Sequence, residues 1–337
     1  MTKLLAIESS CDETACAVVE DGCRILSNIV SSQINVHTLY GGVVPEVASR
    51  IHVENISAVI QEAVEKAGTA MDEIDAIAYT QGPGLIGSLH VGVQAAKTLA
   101  WQFHKPLIPV HHLTGHIYAN RFVSELEFPM MALVVSGGHT ELVWMKNDWD
   151  FQVIGTTWDD AIGEAYDKVA RVLGLGYPGG PIMDKMAKEG KPHYKLPVPK
   201  TASPFDFSFS GLKTAVLQLV EREKRAGNEV DPADVAYAFQ ETALNSMVSK
   251  TVSAVKEYQP KMIVLAGGVA ANSRLRQLMQ EKMQEVPDVK LIIPPMYCCT
   301  DNAAMIGAAG YTAYLHGCFG DLEAAADPSL EMPGEKY

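Results

Sequence analysis

Apolar residues along this chain alternate between two spacings, and the changes of spacing mark its elements. Lys3 to Ser9 is a short apolar run, interrupted by Ser10-Cys11-Asp12-Glu13-Thr14 and resumed from Ala15 to Val19. Asp21-Gly22 turns the chain and Arg24 to Val30 forms a third run, so the opening predicts an antiparallel meander. From Glu46 to Ala67, Val47, Ile51, Val53, Ile56, Val59, Ile60 and Val64 take helical spacing, and Gly68 ends that helix. A buried strand, Ile74 to Tyr79, leads through Gln81-Gly82-Pro83-Gly84-Leu85-Ile86-Gly87-Ser88 into a helix ending near Phe103. Strand, glycine loop and helix together are the context of an anion site. Leu107 to Val110 is a further strand, and Leu113 to Phe122 a helix.

The second half restarts the pattern. Met131 to Val135, the turn Ser136-Gly137-Gly138-His139-Thr140, Glu141 to Met145 and Phe151 to Thr156 repeat the meander. Helices follow at Ala161 to Leu173, Pro181 to Lys188 and Pro232 to Tyr258. A strand Met262 to Leu265 precedes Gly267-Gly268-Val269-Ala270-Ala271-Asn272 and another helix. Lys290 to Ile293 is a last strand and Asn302 to Leu315 a closing helix. The acidic tail after Gly320 reads as frayed. The whole reads as an α/β unit used twice, with both hairpin turns facing a shared cleft. The boundary is expected at the histidine stretch: 1–111 as the first unit and 112–299 as the second, with the closing helix, about 300–320, packing back on the first.

Composition narrows the class. With 337 residues, 47% of them apolar and 20% charged, the chain has a real core and room for two domains. Its net charge of −13 excludes binding to nucleic acid by its whole surface. Lys185, Lys188, Lys191, Lys195 and Lys200, with His193 and Tyr194 among them, form the one concentrated basic stretch. None of the six cysteines makes a C-x-x-C pair. No run reaches ~18 apolar residues and the start lacks a signal-peptide pattern, so a cytoplasmic protein with no membrane span is expected.

Candidate chemistry gathers at His111-His112-Leu113-Thr114-Gly115-His116. His112 and His116 are four apart, on one face of a helix. Asp301 opens the closing helix, and two imidazoles with one carboxylate suit Fe(II) or Zn(II) with coordination positions left open. Such a set would bind one ion per chain, less tightly below pH ~6.5 as the histidines protonate. Asp12 and Glu13 sit at the first hairpin turn, where acids also serve local hydrogen bonding; aimed at the cleft, either would be a base. Asp160, Glu164 and Asp167 share one side of a helix, and Asp184 follows Gly179-Gly180-Pro181. The glycine turns can hold phosphate on backbone N–H groups, although glycine is also the default wherever φ is positive.

Several of these motifs resemble one family over nearly the whole chain, from about Leu4 to Gly317. They are Glu8-Ser9-Ser10-Cys11-Asp12-Glu13-Thr14, Gly41-Gly42-Val43-Val44-Pro45-Glu46, Gly82-Pro83-Gly84-Leu85, His112-Leu113-Thr114-Gly115-His116 and Val135-Ser136-Gly137-Gly138-His139-Thr140, with Asp206-Phe207-Ser208-Phe209-Ser210-Gly211-Leu212-Lys213, Gly267-Gly268-Val269-Ala270-Ala271-Asn272 and Thr300-Asp301-Asn302. The chain is similar to the tRNA threonylcarbamoyladenosine transferases of the bacterial TsaD type. The resemblance implies the actin-like ATPase fold of sugar kinases, heat-shock proteins and actin, with two duplicated RNase H-like units facing a central cleft. It implies transfer of threonylcarbamoyl from threonylcarbamoyl-AMP to N6 of adenosine 37 in tRNAs reading ANN codons, with release of AMP. It implies His112, His116 and Asp301 as ligands of Fe(2+), one per subunit, with Zn(2+) as the other candidate. Val134, Val135, Ser136, Gly137, Gly138, Asp167, Gly180, Asp184 and Asn272 match the substrate contacts, and TsaB and TsaE are the implied partners. Asp12 and Glu13 are the candidate catalytic residues. The leading alternative is an ATP-dependent kinase or ATPase of the same fold, to which the His pair and Asp301 would be superfluous. A metalloprotease needs Glu after the first His, where this chain has Leu113.

Overall fold

The expected opening meander is formed by β1 (Lys3–Glu8), β2 (Glu13–Glu20) and β3 (Arg24–Ser32), in a computed structural model that describes residues 1–333. β1 and β2 are buried almost throughout, which is why they read as unbroken apolar runs rather than as alternation. α1 (Ile34–Tyr40) and α2 (Pro45–Ala67) follow; Pro45 starts α2 and Gly68, at φ 61°, ends it. β4 (Ala76–Gly82), α3 (Ile86–Phe103), β5 (Leu107–His111) and α4 (His112–Tyr118) complete this part. β4 runs parallel to β1 and β5 parallel to β4, giving a five-stranded sheet ordered β3-β2-β1-β4-β5.

The remaining elements are β6 (Met130–Val135), β7 (Thr140–Met145), β8 (Phe151–Thr156), α5 (Ile162–Val172), α6 (Gly179–Ala187), α7 (Ser210–Arg225) and α8 (Pro232–Tyr258), then β9 (Met262–Ala266), α9 (Ser273–Met283), β10 (Lys290–Ile292) and α10 (Ala303–Leu315). The second sheet is ordered β10-β9-β6-β7-β8, the same strand order as the first. α1 and α7 are not foreseen from the pattern, although Leu212, Val216, Leu219 and Val220 of α7 are buried at helical spacing. Among the described residues, no helix is long and apolar enough to cross a membrane.

The chain divides into two compact units. One holds Met1–Leu126, Asp148–Phe151 and the chain from Pro294 onward; the other holds Glu127–Asn147 and Gln152–Ile293. The boundary expected at 111/112 thus falls later, at Leu126–Glu127, because α4 packs against α10. Gly115 makes that packing close: a Cβ there would lie 2.9 Å from Ile306 Cδ1. α10 rests on the first sheet through glycines in the same way. Added Cβ atoms on Gly307 and Gly310 would lie 2.6 Å from Val19 Cγ2 and 2.7 Å from Ala78 Cβ.

As far as residue 333 the tail is not frayed, and its last four residues lie outside the described ones. Gly320 bridges to Leu107, Asp327 N–H donates to Gln81 O, Gly84 N–H donates to Pro328 O, and Met332 is buried. This main chain lies on the Gly82–Gly84 loop. A Cβ on Gly82 would lie 1.8 Å from Asp327 O, and one on Gly84 2.5 Å from Ser10 O. The glycines there admit close backbone approach, so the anion site expected at this loop is filled by the chain itself.

Candidate metal centre and ligand loops

β5 ends at His111, whose Nδ1 accepts from Leu113 N–H and so caps α4. Its Nε2 donates to Leu330 O of the tail at 3.0 Å. One residue on, His112 enters α4, and His116 lies a turn later, its ring edge-on to His112 with centroids 4.8 Å apart. Asp301 arrives from the loop before α10, where Asn302 caps the helix by accepting from Met305 N–H. Asp301 Oδ1 lies 3.0 Å from His116 Nε2 and 3.6 Å from His112 Nε2. One ligand atom from each of the three residues falls within 4.8 Å of the others, and all three belong to the first unit.

The donor set fits a divalent ion. It offers two imidazole nitrogens and one carboxylate oxygen, the composition of sites for zinc or iron that keep positions open. Burial works against a charged His112, but Glu8 and Asp301 outweigh it and raise its pKa to about 9. Burial likewise opposes ionised Asp301, yet His112 and His116 bring its carboxyl down to about 2. His112 lies between the carboxylates of Glu8 and Asp301, which suits the pocket to positive charge. His116 Nδ1, by contrast, is buried with no hydrogen-bond partner among the described residues.

Asp12 and Glu13 stand at the β1–β2 turn, both half-buried. Glu13 accepts from Ser32 Oγ at 3.1 Å, and Gln33 N–H donates to Asp12 O. Burial, then the charges of Asp301 and Asp12, push the Glu13 carboxyl far above the usual carboxylate range. Glu13 therefore belongs electrostatically to the histidine–aspartate set. Glu8, whose carboxylate faces His112 from β1, is a site residue that pattern reasoning missed; a charged residue closing a wholly buried strand was its signal.

In the second unit, the expected ligand residues fall on β6, the β6–β7 turn, α5, α6 and the residue before α9. Val134 and Val135 are wholly buried, main chain included, so neither presents surface to a ligand. Ser136 Oγ accepts from His139 N–H and closes the β6–β7 turn. Gly137 and Gly138 are exposed, and a Cβ on either would meet nothing within 4 Å. α5 begins against this turn, Gly163 N–H donating to Ser136 O at 3.2 Å. Asp167 of α5 accepts from Gly179 N–H at 2.7 Å, at the head of α6 beside the open Gly180. Asp184 of α6 accepts from Ser273 N–H and Oγ, and Asn272 caps α9 while its amide donates to Gln240 Oε1. The supposed acidic side of α5 is corrected: Asp160 precedes the helix, and both it and Glu164 pair with Lys168.

The family profile described as TsaD, tRNA N6-adenosine threonylcarbamoyltransferase, matches residues 24–308. A relative of that name from Geobacillus kaustophilus (strain HTA426) is 56% identical over 330 residues, covering 98% of this chain and 96% of its own. Another from Listeria welshimeri is 55% identical over 331 residues, with the same shares of each chain. Among solved structures, T. kodakarensis HypF matches with TM-score 0.66 at 16% identity, covering 94% of this chain and 48% of that one. Component A of the Acidaminococcus fermentans (R)-2-hydroxyglutaryl-CoA dehydratase matches with TM-score 0.52, also at 16% identity, over 93% of this chain and 97% of its own. These distant likenesses bear on fold alone, and that fold is the actin-like ATPase fold, in accord with the repeated sheet order. A profile match spanning most of the chain, together with more than half identity to relatives over nearly full length, makes this chain a member of the tRNA N6-adenosine threonylcarbamoyltransferase family.

Proposed function

We propose that this chain transfers threonylcarbamoyl from threonylcarbamoyl-AMP to N6 of adenosine 37 in tRNAs reading ANN codons, releasing AMP. The observation that carries the reading is the convergence of His112, His116 and Asp301 in one unit, with the Asp12–Glu13 turn electrostatically coupled to them. The reaction joins the exocyclic amine nitrogen to the carbonyl carbon and breaks the bond from that carbon to the AMP oxygen. The leaving electron pair goes to the phosphate, and the amine must lose a proton. Asp12 is assigned as the proton acceptor, with Glu13 as its proton-sharing neighbour. A divalent ion, assigned as Fe(2+) with Zn(2+) as the other candidate, would supply Lewis acidity toward carbonyl or phosphate oxygens.

The adenylate moiety is assigned to the exposed Gly137–Gly138 turn and to Asp167, Gly180, Asp184 and Asn272. The exposed lysines from Lys185 to Lys200 are assigned to tRNA phosphates. TsaB and TsaE are the proposed protein partners. An apolar groove of about 920 Å³ between α2 and α3, lined by Val53, Ile60, Val64, Val91 and Leu99, supports docking of an apolar protein face. A tRNA substrate goes with a cytoplasmic setting. The test is mass spectrometry of tRNA nucleosides after incubation with threonylcarbamoyl-AMP and the partners. The modified adenosine should form with wild type and fail to form with His112→Ala; its absence with loaded wild type would refute the reading.

A further inference from the structure

Glu8 ends β1 with its carboxylate 1% exposed, and the groups around it account for both oxygens. Ser10 N–H donates to Oε1. Thr80 Oγ1 donates to Oε2 at 2.6 Å, and His112 Nδ1 donates to the same oxygen at 3.0 Å. Ser10 Oγ stands 3.1 Å from that Nδ1. An ionised carboxylate buried this deeply persists only when its partners are fixed. The three partners come from the β1–β2 turn, β4 and α4, so the carboxylate cannot rotate without breaking contacts to several elements.

The direction of the Nδ1 hydrogen bond decides what the other ring nitrogen can do. With Nδ1 as donor to Glu8, neutral His112 carries no hydrogen on Nε2, and Nε2 is the atom that faces Asp301. We propose that Glu8 is a positioning residue of the metal centre. It holds the His112 ring in the Nδ1–H tautomer, aims Nε2 at the ion and strengthens it as a donor, while Thr80 and Ser10 fix Glu8. Among the described residues His116 has no such support at its Nδ1, so His112 is the anchored ligand of the two. This inference rests on the assignment of His112, His116 and Asp301 as the metal ligands.

The test is titration of metal-stripped protein with Zn(2+) and Co(2+) against a competing chelator. Wild type, Glu8→Gln and Thr80→Val are compared, with circular dichroism as the check of folding. Glutamine keeps the shape of Glu8 but not its charge, and its amide can donate to Nδ1 and so force hydrogen onto Nε2. Glu8→Gln should lower metal affinity roughly 10- to 100-fold and change the Co(2+) absorption spectrum. In zinc-loaded wild type, histidine 15N spectra should show His112 protonated at Nδ1. Thr80→Val removes one of two donors from the same oxygen and should weaken binding several-fold, which tests the proposal even if Glu8→Gln does not fold. Wild-type affinity and spectrum in a folded Glu8→Gln protein would overturn the role of Glu8. Failure of wild type itself to bind either ion would instead overturn the ligand assignment beneath it.

Discussion

His112 links protonation to both stability and metal uptake. In the metal-free protein its pKa is raised to about 9, against ~6.5 for an ordinary histidine in the unfolded chain. A raised folded-state value adds stability that is complete below ~6.5 and lost as pH climbs through 9. Chelator-treated protein should therefore lose a few kcal/mol of unfolding free energy across that window, read by urea titration. His112→Ala should flatten the profile, and a flat wild-type profile would contradict the ion-pair geometry. Metal uptake must expel the same proton, so affinity should keep rising to pH 9 instead of levelling off near ~6.5, the limit expected of unperturbed imidazoles. His112→Ala and Asp301→Ala should each lower metal content below one ion per chain, and full occupancy in both would refute the assignment. Gly138→Val is a clean probe of the second unit. Its Cβ would meet nothing within 4 Å, so the fold should survive while AMP affinity falls steeply. The His112–His116 pair was legible because its i, i+4 spacing is itself chemical, whereas Asp301 entered as a carboxylate at a helix start and through the family resemblance. Glu8 was not legible, because its role comes from β4 and α4 lying beside β1, which no local spacing records.

Among the elements, the pairing of α4 with α10 decides whether the ligands meet. Gly115→Leu would drive a side chain into Ile306 and Met305. Overpacking of this kind costs ~1–3 kcal/mol, so the melting temperature should fall together with metal affinity. The tail is the second such element. Removing the chain after Gly320 should unprotect the Gly84 amide, which donates to Pro328 O, and free His111 from Leu330 O. Hydrogen exchange along Gln81–Leu85 should accelerate, and unchanged exchange would mean that the tail contributes nothing there. Long periodic elements such as α2, α3 and α8 were readable from apolar spacing alone. The tail escaped because main-chain hydrogen bonds hold it, and these leave no pattern in side-chain chemistry. α7 escaped because its opening Ser210-Gly211 resembles a loop.

Over the whole molecule, duplication was visible as a meander written twice, and the shared strand order confirms it. The return of the closing helix to the first unit was visible; the boundary at Leu126–Glu127 was not, because the packing of α4 on α10 that keeps the histidine stretch in the first unit leaves no local signal. Net charge of −13 sets the problem of tRNA contact. Lys185, Lys188, Lys191 and Lys195 are exposed, and none has an ion pair among the described residues. Replacing two of them with alanine should weaken tRNA binding whatever its sequence and reduce the slope of log affinity against log salt by about two units. A slope unaltered by the substitutions would assign the stretch to solvent or to a protein partner.

The wide separation of Asp301 from the histidines also sets an order of events during synthesis. His112 and His116 leave the ribosome while most of the chain is still untranslated, and for that interval they have no carboxylate to complete the set. α10, which presses α4 into place, and the main chain that locks His111 come later still. A nascent chain is thus a poor competitor for divalent ions, and loading becomes a maturation step that follows translation. Cells starved of metal should then accumulate folded, empty protein that can be activated later without new synthesis.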